Sequence, residues 1–289
     1  MQIPEVQRAV AAATATAEAL GLHVVDTVVL QNSNKLAVRL LPCDAFARVA
    51  PIDGHVAEFE VELAARLAET KSPVAALEPR VPSRVYERDG FAVTFWTYYA
   101  SATPDVAPAD YASALSRLHA GMRRIEIAAP RFTDRVAEAE QLVANRGQTP
   151  ELAGADRALL SGLLTGLGRT VAGHGGAEQL LHGEPHAGNF LSTKLGPLFI
   201  DLETCCRGPV EFDLAHTPEA VIAHYPRVDQ ALLSECRGLV LAMVAAWRWD
   251  AGDQFPNGRL WAQEFIRTLR EGPPWPSLHA LTRRLDGRG

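Results

Sequence analysis

Between Leu180 and His216 this 289-residue chain reads LLHGEPHAGNFLSTKLGPLFIDLETCCRGPVEFDLAH, and the order of polar and turn residues there leaves few ways to fold. Gln179 to Leu181 ends a short apolar run. The loop His182 to Asn189 follows, with two glycines and a proline. Phe190 to Ser192 and Leu198 to Ile200 read as two strands, joined across Thr193 to Pro197 by the turn residues Lys194 and Gly196. An antiparallel hairpin brings its open ends together, so Asn189 is expected close to Asp201. An amide oxygen beside a carboxylate suits a hard divalent cation that keeps some waters and also takes phosphate oxygens. Glu184, five residues before Asn189 on the same loop, is then placed to receive a proton from an attacking hydroxyl.

These residues resemble the aminoglycoside phosphotransferase family, protein-kinase-like enzymes that phosphorylate small molecules. The family's loop H-G-D-x-H-x-x-N is matched by His182, Gly183, Glu184, His186 and Asn189; its I-D by Ile200 and Asp201; its G-x-x-x-x-D-L-A by Gly208, Asp213, Leu214 and Ala215. One position departs: Glu184 stands where the family has its catalytic aspartate, which keeps the carboxylate and adds a methylene. The resemblance implies that Asn189 and Asp201 hold magnesium and that Asp213 accepts hydrogen bonds from the catalytic-loop backbone. Magnesium prefers oxygen, so His182 and His186 read as residues that order the loop. Cys205 and Cys206 are adjacent, without metal-ligand spacing, and read as small packing residues.

Composition sets the outer limits. With 47% apolar residues the chain can bury a substantial core. No stretch approaches the roughly 20 uninterrupted apolar residues of a membrane span, and the start lacks the pattern of a secretory signal. A cytoplasmic protein without a membrane partner is expected. Cysteines at 43, 205, 206 and 236 fit reduced thiols better than a disulfide framework. A net charge of −6, with no basic cluster interleaved with aromatics, argues against nucleic acid and is compatible with a cationic small substrate.

Pro4 to Leu20 has the apolar spacing of an amphipathic helix that Gly21 ends. His23 to Leu30, Leu36 to Leu41 and Phe46 to Ala50 read as antiparallel strands. In the kinase-like architecture the turn between the first two covers the nucleotide phosphates, and Ser33 with Asn34 is similar to the family's S-N there. Arg48 in the third strand stands where kinases place a phosphate-binding lysine. Its expected ion-pair partner lies on the helix His55 to Glu69, where Glu60 falls nearest the centre of the stripe Val56, Phe59, Leu63 and Leu67. After a proline-bearing connection, Arg84 to Glu87 and Phe91 to Trp96 are strands, and alternation of Phe91, Val93 and Phe95 predicts one buried face. Thr97, Tyr98 and Tyr99 fall at the expected hinge, where backbone groups read the adenine edge.

Helical spacing then takes over: from Pro108, over Phe132 to Ala144, Pro150 to Val171, Pro218 to His224, Gln230 to Trp249 and Leu260 to Leu269. His119 reads as a packed core histidine. The cluster Trp247, Arg248, Trp249, Asp250 and Asp253 reads first as core packing plus a solvated turn, and second as a holder of an amino-sugar. The tail from Gly272, rich in proline and arginine, is expected to wrap the surface.

The fold class expected is α+β, a bilobal protein-kinase-like fold: a nucleotide-binding lobe over residues 1–97 and a catalytic, acceptor-binding lobe over residues 98–289. The function implied is transfer of the γ-phosphoryl group of ATP or GTP, with Mg2+, to a hydroxyl of a small molecule. An aminoglycoside-like or other antibiotic comes first. The alternatives are a metabolite kinase acting on an amino alcohol, nucleoside or hydroxylated peptide, and a pseudokinase, which Glu184, Arg48 and the glycine-poor turn would suit. A monomer or homodimer is expected.

Overall fold

The structure, a computed structural model, describes residues 1–33, 35–52, 56–100, 106–194, 196–285 and 287. The chain begins with α1 (Ile3–Ala19), followed by β1 (Val24–Asn32), β2 (Leu36–Pro42), β3 (Ala45–Pro51), α2 (Val56–Glu69), β4 (Tyr86–Arg88) and β5 (Phe91–Thr97). Helices α3 (Pro108–Met122), α4 (Phe132–Ala144) and α5 (Gly154–Ala172) come next. They lead to β6 (Gln179–Leu181), β7 (Phe190–Thr193), β8 (Gly196–Phe199) and β9 (Cys206–Gly208). The chain closes with short α6 (Val210–Leu214) and α7 (Glu219–Ile222), then α8 (Gln230–Arg248), α9 (Gly258–Glu271) and α10 (Leu278–Leu285).

Two compact units result. The first is Met1–Asp105 with Leu191–Glu203, and the second is Val106–Phe190 with Thr204–Gly289. In the first unit β1 to β5 form one antiparallel sheet in the order β1-β2-β3-β5-β4. The alanines of α1, Ala9, Ala12, Ala13 and Ala17, bury against Leu36, Val38, Leu40, Ala47, Val49 and Phe95. Side chains alternate across a strand, so burying Ala45, Ala47 and Val49 against α1 sends Phe46 and Arg48 to the other face. Strand β5 is buried more fully than its alternation predicted. Thr94 and Trp96 are buried along with Phe91, Val93 and Phe95, and Trp96 Nε1 donates to Thr94 Oγ1 at 2.9 Å.

Strands β7 and β8 pair as a hairpin. Its return strand joins the first unit through the backbone: Ala75 N donates to Phe199 O at 2.9 Å and Phe199 N to Pro73 O at 2.8 Å, with the Phe199 ring fully buried. These bonds bring the strand that carries Asp201 to the unit that holds Arg48.

The second unit is mainly helical and centred on α8. Asp229 caps that helix, accepting from Ala231 N at 3.0 Å and Leu232 N at 3.1 Å. By length and composition alone α8 could cross a membrane, but most of its apolar window is buried inside this unit. Helix α5 starts at Gly154, later than the expected Pro150. The Arg157 side chain in its first turn donates to Thr149 O at 2.8 Å and Leu152 O at 3.3 Å, holding the preceding turn. The tail also departs from expectation: it forms α10, burying Leu278, Leu281 and Trp275. Their spacing was hidden by the prolines and arginines around them.

Trp275 fills the space that Gly238 leaves on α8. A Cβ at Gly238 would lie 2.5 Å from two ring carbons of Trp275 and 3.0 Å from Leu167 Cδ1. A Gly238→Ala substitution is therefore expected to cost about 1–3 kcal/mol despite its better helix propensity. The urea midpoint checks it: a fall is expected, and an unchanged or raised midpoint would show that the ring yields freely.

Candidate active site

Arg48 is the centre of the charged cluster in the first unit. Its Nη1 donates to Glu60 Oε1, and its Nη2 donates to Asp201 Oδ1 at 2.7 Å. Glu60 is buried, and the same Oε1 also accepts from Leu202 N at 3.1 Å. One carboxylate thus holds both the guanidinium and the backbone just after Asp201. Burial opposes the charge on Arg48, but Glu60 and Asp201 outweigh it and raise its pKa. Asp201 adopts φ of 65°, in the left-handed region that an aspartate tolerates better than most residues.

Lys35 belongs to this cluster and was missed in the sequence. Its ammonium pairs with Glu203, and burial, aided by Arg48, lowers its pKa. Its place directly after the expected phosphate turn was the available signal. Ser33 is exposed and its N–H bonds Lys35 O at 3.0 Å; Asn34 lies outside the described residues. At the expected hinge, Thr97 N donates to Ala76 O at 2.9 Å. Tyr99 accepts from Ala76 N at 3.3 Å, and the guanidinium of Arg39 sits 4.0 Å from the Tyr98 ring centre.

In the second unit the loop from His182 to Asn189 is fixed from several sides. Asp213, fully buried on α6, accepts from His182 N at 2.9 Å, Gly183 N at 2.8 Å and His119 Nε2 at 2.8 Å. Burial by itself would raise its pKa, but the hydrogen bond and charge of His119 outweigh it and keep the carboxylate ionised. His119 is thus a buried structural residue whose other nitrogen meets Tyr225 Oη at 2.7 Å. Gly183 has φ of 89°, and a Cβ there would lie 2.0 Å from Thr204 O, so only glycine fits. Tyr111 donates to Pro185 O and stacks on Phe190 at 4.0 Å between ring centres. His186 Nδ1 accepts from Gly188 N at 3.0 Å, an ordering role.

Glu184 is held by Arg135 of α4, whose Nη2 donates to Glu184 Oε1 while its Nη1 reaches Gly183 O at 3.3 Å. Burial would raise the Glu184 pKa, yet the charge and hydrogen bond of Arg135 bring it below the ordinary value. The side chain is therefore an ionised carboxylate at neutral pH. Arg135 is itself steadied by Trp247, its guanidinium 5.2 Å from that ring centre. Nothing in the local sequence linked Arg135 to Glu184, since 49 positions separate them. Asn189 Nδ2 donates to Glu184 O at 3.1 Å, which turns its amide oxygen away from that carbonyl.

Glu184 also lines a cavity of about 420 Å³ within the second unit, together with His216, Trp247, Arg248, Phe255 and Trp261. That volume is in the range of small-molecule sites. Of the cluster's acidic residues, Asp253 accepts from Arg248 Nη1 at 2.6 Å and Asp250 from Gly252 N at 2.8 Å.

Solved structures share this architecture. A choline kinase, LicA, from Streptococcus pneumoniae is 15% identical with a TM-score of 0.66, over 89% of this chain and 97% of its own. An amicoumacin kinase, hAmiN, solved with AMP-PNP and Ca2+, is 11% identical with a TM-score of 0.70, over 96% of this chain and 100% of its own. A choline/ethanolamine kinase family protein from Mesorhizobium loti is 17% identical with a TM-score of 0.65, over 96% and 99% of the two chains. These likenesses establish the bilobal α+β, protein-kinase-like fold. No curated protein sequence matches the chain. The profile of the phosphotransferase enzyme family matches residues 37–235. That match spans well over half of the sequence and takes in Arg48, the loop around Glu184, Asp201 and Asp213, and with it the chain belongs to the phosphotransferase enzyme family.

Proposed function

We propose that this phosphotransferase moves the γ-phosphoryl group of ATP or GTP to a hydroxyl of a small molecule, with Glu184 as the group that orients and deprotonates that hydroxyl. The observation that carries the reading is a carboxylate kept ionised by Arg135 at the wall of a cavity sized for a small molecule. In a largely dissociative transfer the nucleophile needs orientation more than activation. A fixed, ionised Glu184 supplies this, and its extra methylene changes reach more than chemistry. Arg48 would steady the nucleotide phosphates through its planar fork, with Glu60 and Asp201 holding it in place. Lys35 is a second cation for the same phosphates. Thr97, Tyr98 and Tyr99 would face the base.

Asn189 and Asp201 would hold magnesium. The donor set fits: one amide oxygen and one carboxylate are the hard ligands this ion takes alongside phosphates and waters. Among the described residues no three His, Cys, Asp or Glu side chains gather as a metal cage, and such a site needs none. When bound, the ion would neutralise charge on the phosphates.

The name of the family does not single out an aminoglycoside as acceptor. Its structural relatives here include a choline kinase and an amicoumacin kinase, so a metabolite acceptor is supported at least as well.

Replacing Glu184 with Gln keeps size and removes the base. Turnover is expected to fall by about a hundredfold or more, while the nucleotide Kd measured calorimetrically with Mg2+ stays near that of the wild type; undiminished turnover would take Glu184 out of the mechanism. Arg135→Met removes the charge that opposes burial, so the Glu184 carboxyl should hold its proton to higher pH. The acid limb of kcat/KM is then expected to move to higher pH, and Arg135→Lys should restore part of the shift. An acid limb unmoved by Arg135→Met would mean that Arg135 does not govern this carboxylate.

A further inference from the structure

The walls of the cavity beside Glu184 say what charge its occupant carries. Its two strongly ionised lining groups are already neutralised, Glu184 by Arg135 and Arg248 by Asp253. Two of the three lining rings Trp247, Phe255 and Trp261 already carry a guanidinium. Arg135 lies over Trp247 at 5.2 Å, and Arg248 over Phe255 at 4.5 Å from the ring centre. An incoming ammonium would meet the Arg248 guanidinium and no uncompensated carboxylate among the described lining residues. Val244, Leu278 and Trp261 complete an apolar wall.

One lining residue is unsatisfied. His216 is 3% exposed, and among the described residues neither Nδ1 nor Nε2 has a hydrogen-bond partner. A buried imidazole with two idle nitrogens carries a desolvation cost that a ligand would relieve, because the neutral ring offers one donor and one acceptor. Phe212 packs against its ring at 5.7 Å between centres and fixes the plane in which those nitrogens point.

We propose that the acceptor is an uncharged, hydroxylated compound with an apolar ring body. Its ring lies along Trp247, Trp261 and Leu278, its reacting hydroxyl meets Glu184, and a second polar group bonds His216. The proposal rests on the phosphotransferase reading and narrows it: a polycationic amino-sugar and a quaternary amine are both disfavoured. The reaction balances simply, since the hydroxyl oxygen bonds the γ-phosphorus as the bridging oxygen leaves with ADP, and the hydroxyl proton passes to Glu184.

The test uses three compounds with the same phenyl ring and a hydroxyl but different charge: phenylpropanediol, uncharged; phenylalaninol, a cation; and phenyllactate, an anion. Ligand-observed NMR on the full chain gives their dissociation constants, with kanamycin and choline alongside. Phenylpropanediol is expected to bind about tenfold or more tighter than the charged pair. His216→Phe should weaken it about tenfold, and His216→Gln, which keeps a donor and an acceptor, should recover part of that. Equal or tighter binding of any cation, binding of the anion equal to the diol, or no binding of the diol each overturns the proposal. So does a diol affinity that His216→Phe leaves unchanged. Adding Mg·ATP to the same samples separates the two readings: a diol that binds as expected but never acquires phosphate leaves the cavity's preference intact and counts against phosphoryl transfer.

Discussion

The buried carboxylate of Asp213 anchors the start of the loop from His182 to Asn189. It accepts two successive backbone N–H groups at His182 and Gly183 and a third bond from His119. Those donors are buried, and each would cost about 1–3 kcal/mol if left without a partner. The loop can therefore adopt one path only, with Gly183 in the left-handed region against Thr204 and Glu184 delivered next in sequence. The position of the carboxylate that faces the cavity follows from a carboxylate that never touches it.

The two units handle charge in the same way. Each pairs a largely buried arginine with carboxylates: Arg48 with Glu60 and Asp201 in one, Arg135 with Glu184 in the other. Burying such charges costs several kcal/mol per ion unless they are paired. Pairing therefore decides which groups can persist inside. A pseudokinase would also retain these pairs for stability, but it has no need of an ionised carboxylate opening on a cavity with an unsatisfied histidine beside it. The pairing with Arg135 anchors the Glu184 side chain at its end.

Local pattern made the fold legible. Short β-rich runs between polar breaks marked β1, β2 and β3, and the helical wheel of α2 picked Glu60. The polar loop and hairpin were readable because glycine, proline and a strand-end aspartate mark them in one short stretch. What sequence did not show are the contacts made across long separations. Arg135 and Glu184 belong to different elements with no shared period, and His216 followed a recognisable motif yet carried no sign that its nitrogens would lack hydrogen-bond partners among the described residues. Trp275 was misread because a tail rich in proline and arginine looks like a surface strap until Gly238 is seen to make room for an indole. Lys35 was passed over because a lysine at the edge of a turn is ordinarily solvated.

The account stands on a phosphoryl group reaching a hydroxyl, and phosphorus NMR observes that directly. Purified protein would be incubated with Mg·ATP and a desalted pool of uncharged, hydroxylated small molecules. The account predicts a new phosphomonoester signal that grows in step with ADP, one for one, and that does not appear with Glu184→Gln. Conversion of ATP to ADP with inorganic phosphate as the sole product, or a phosphomonoester formed equally well by Glu184→Gln, would contradict it.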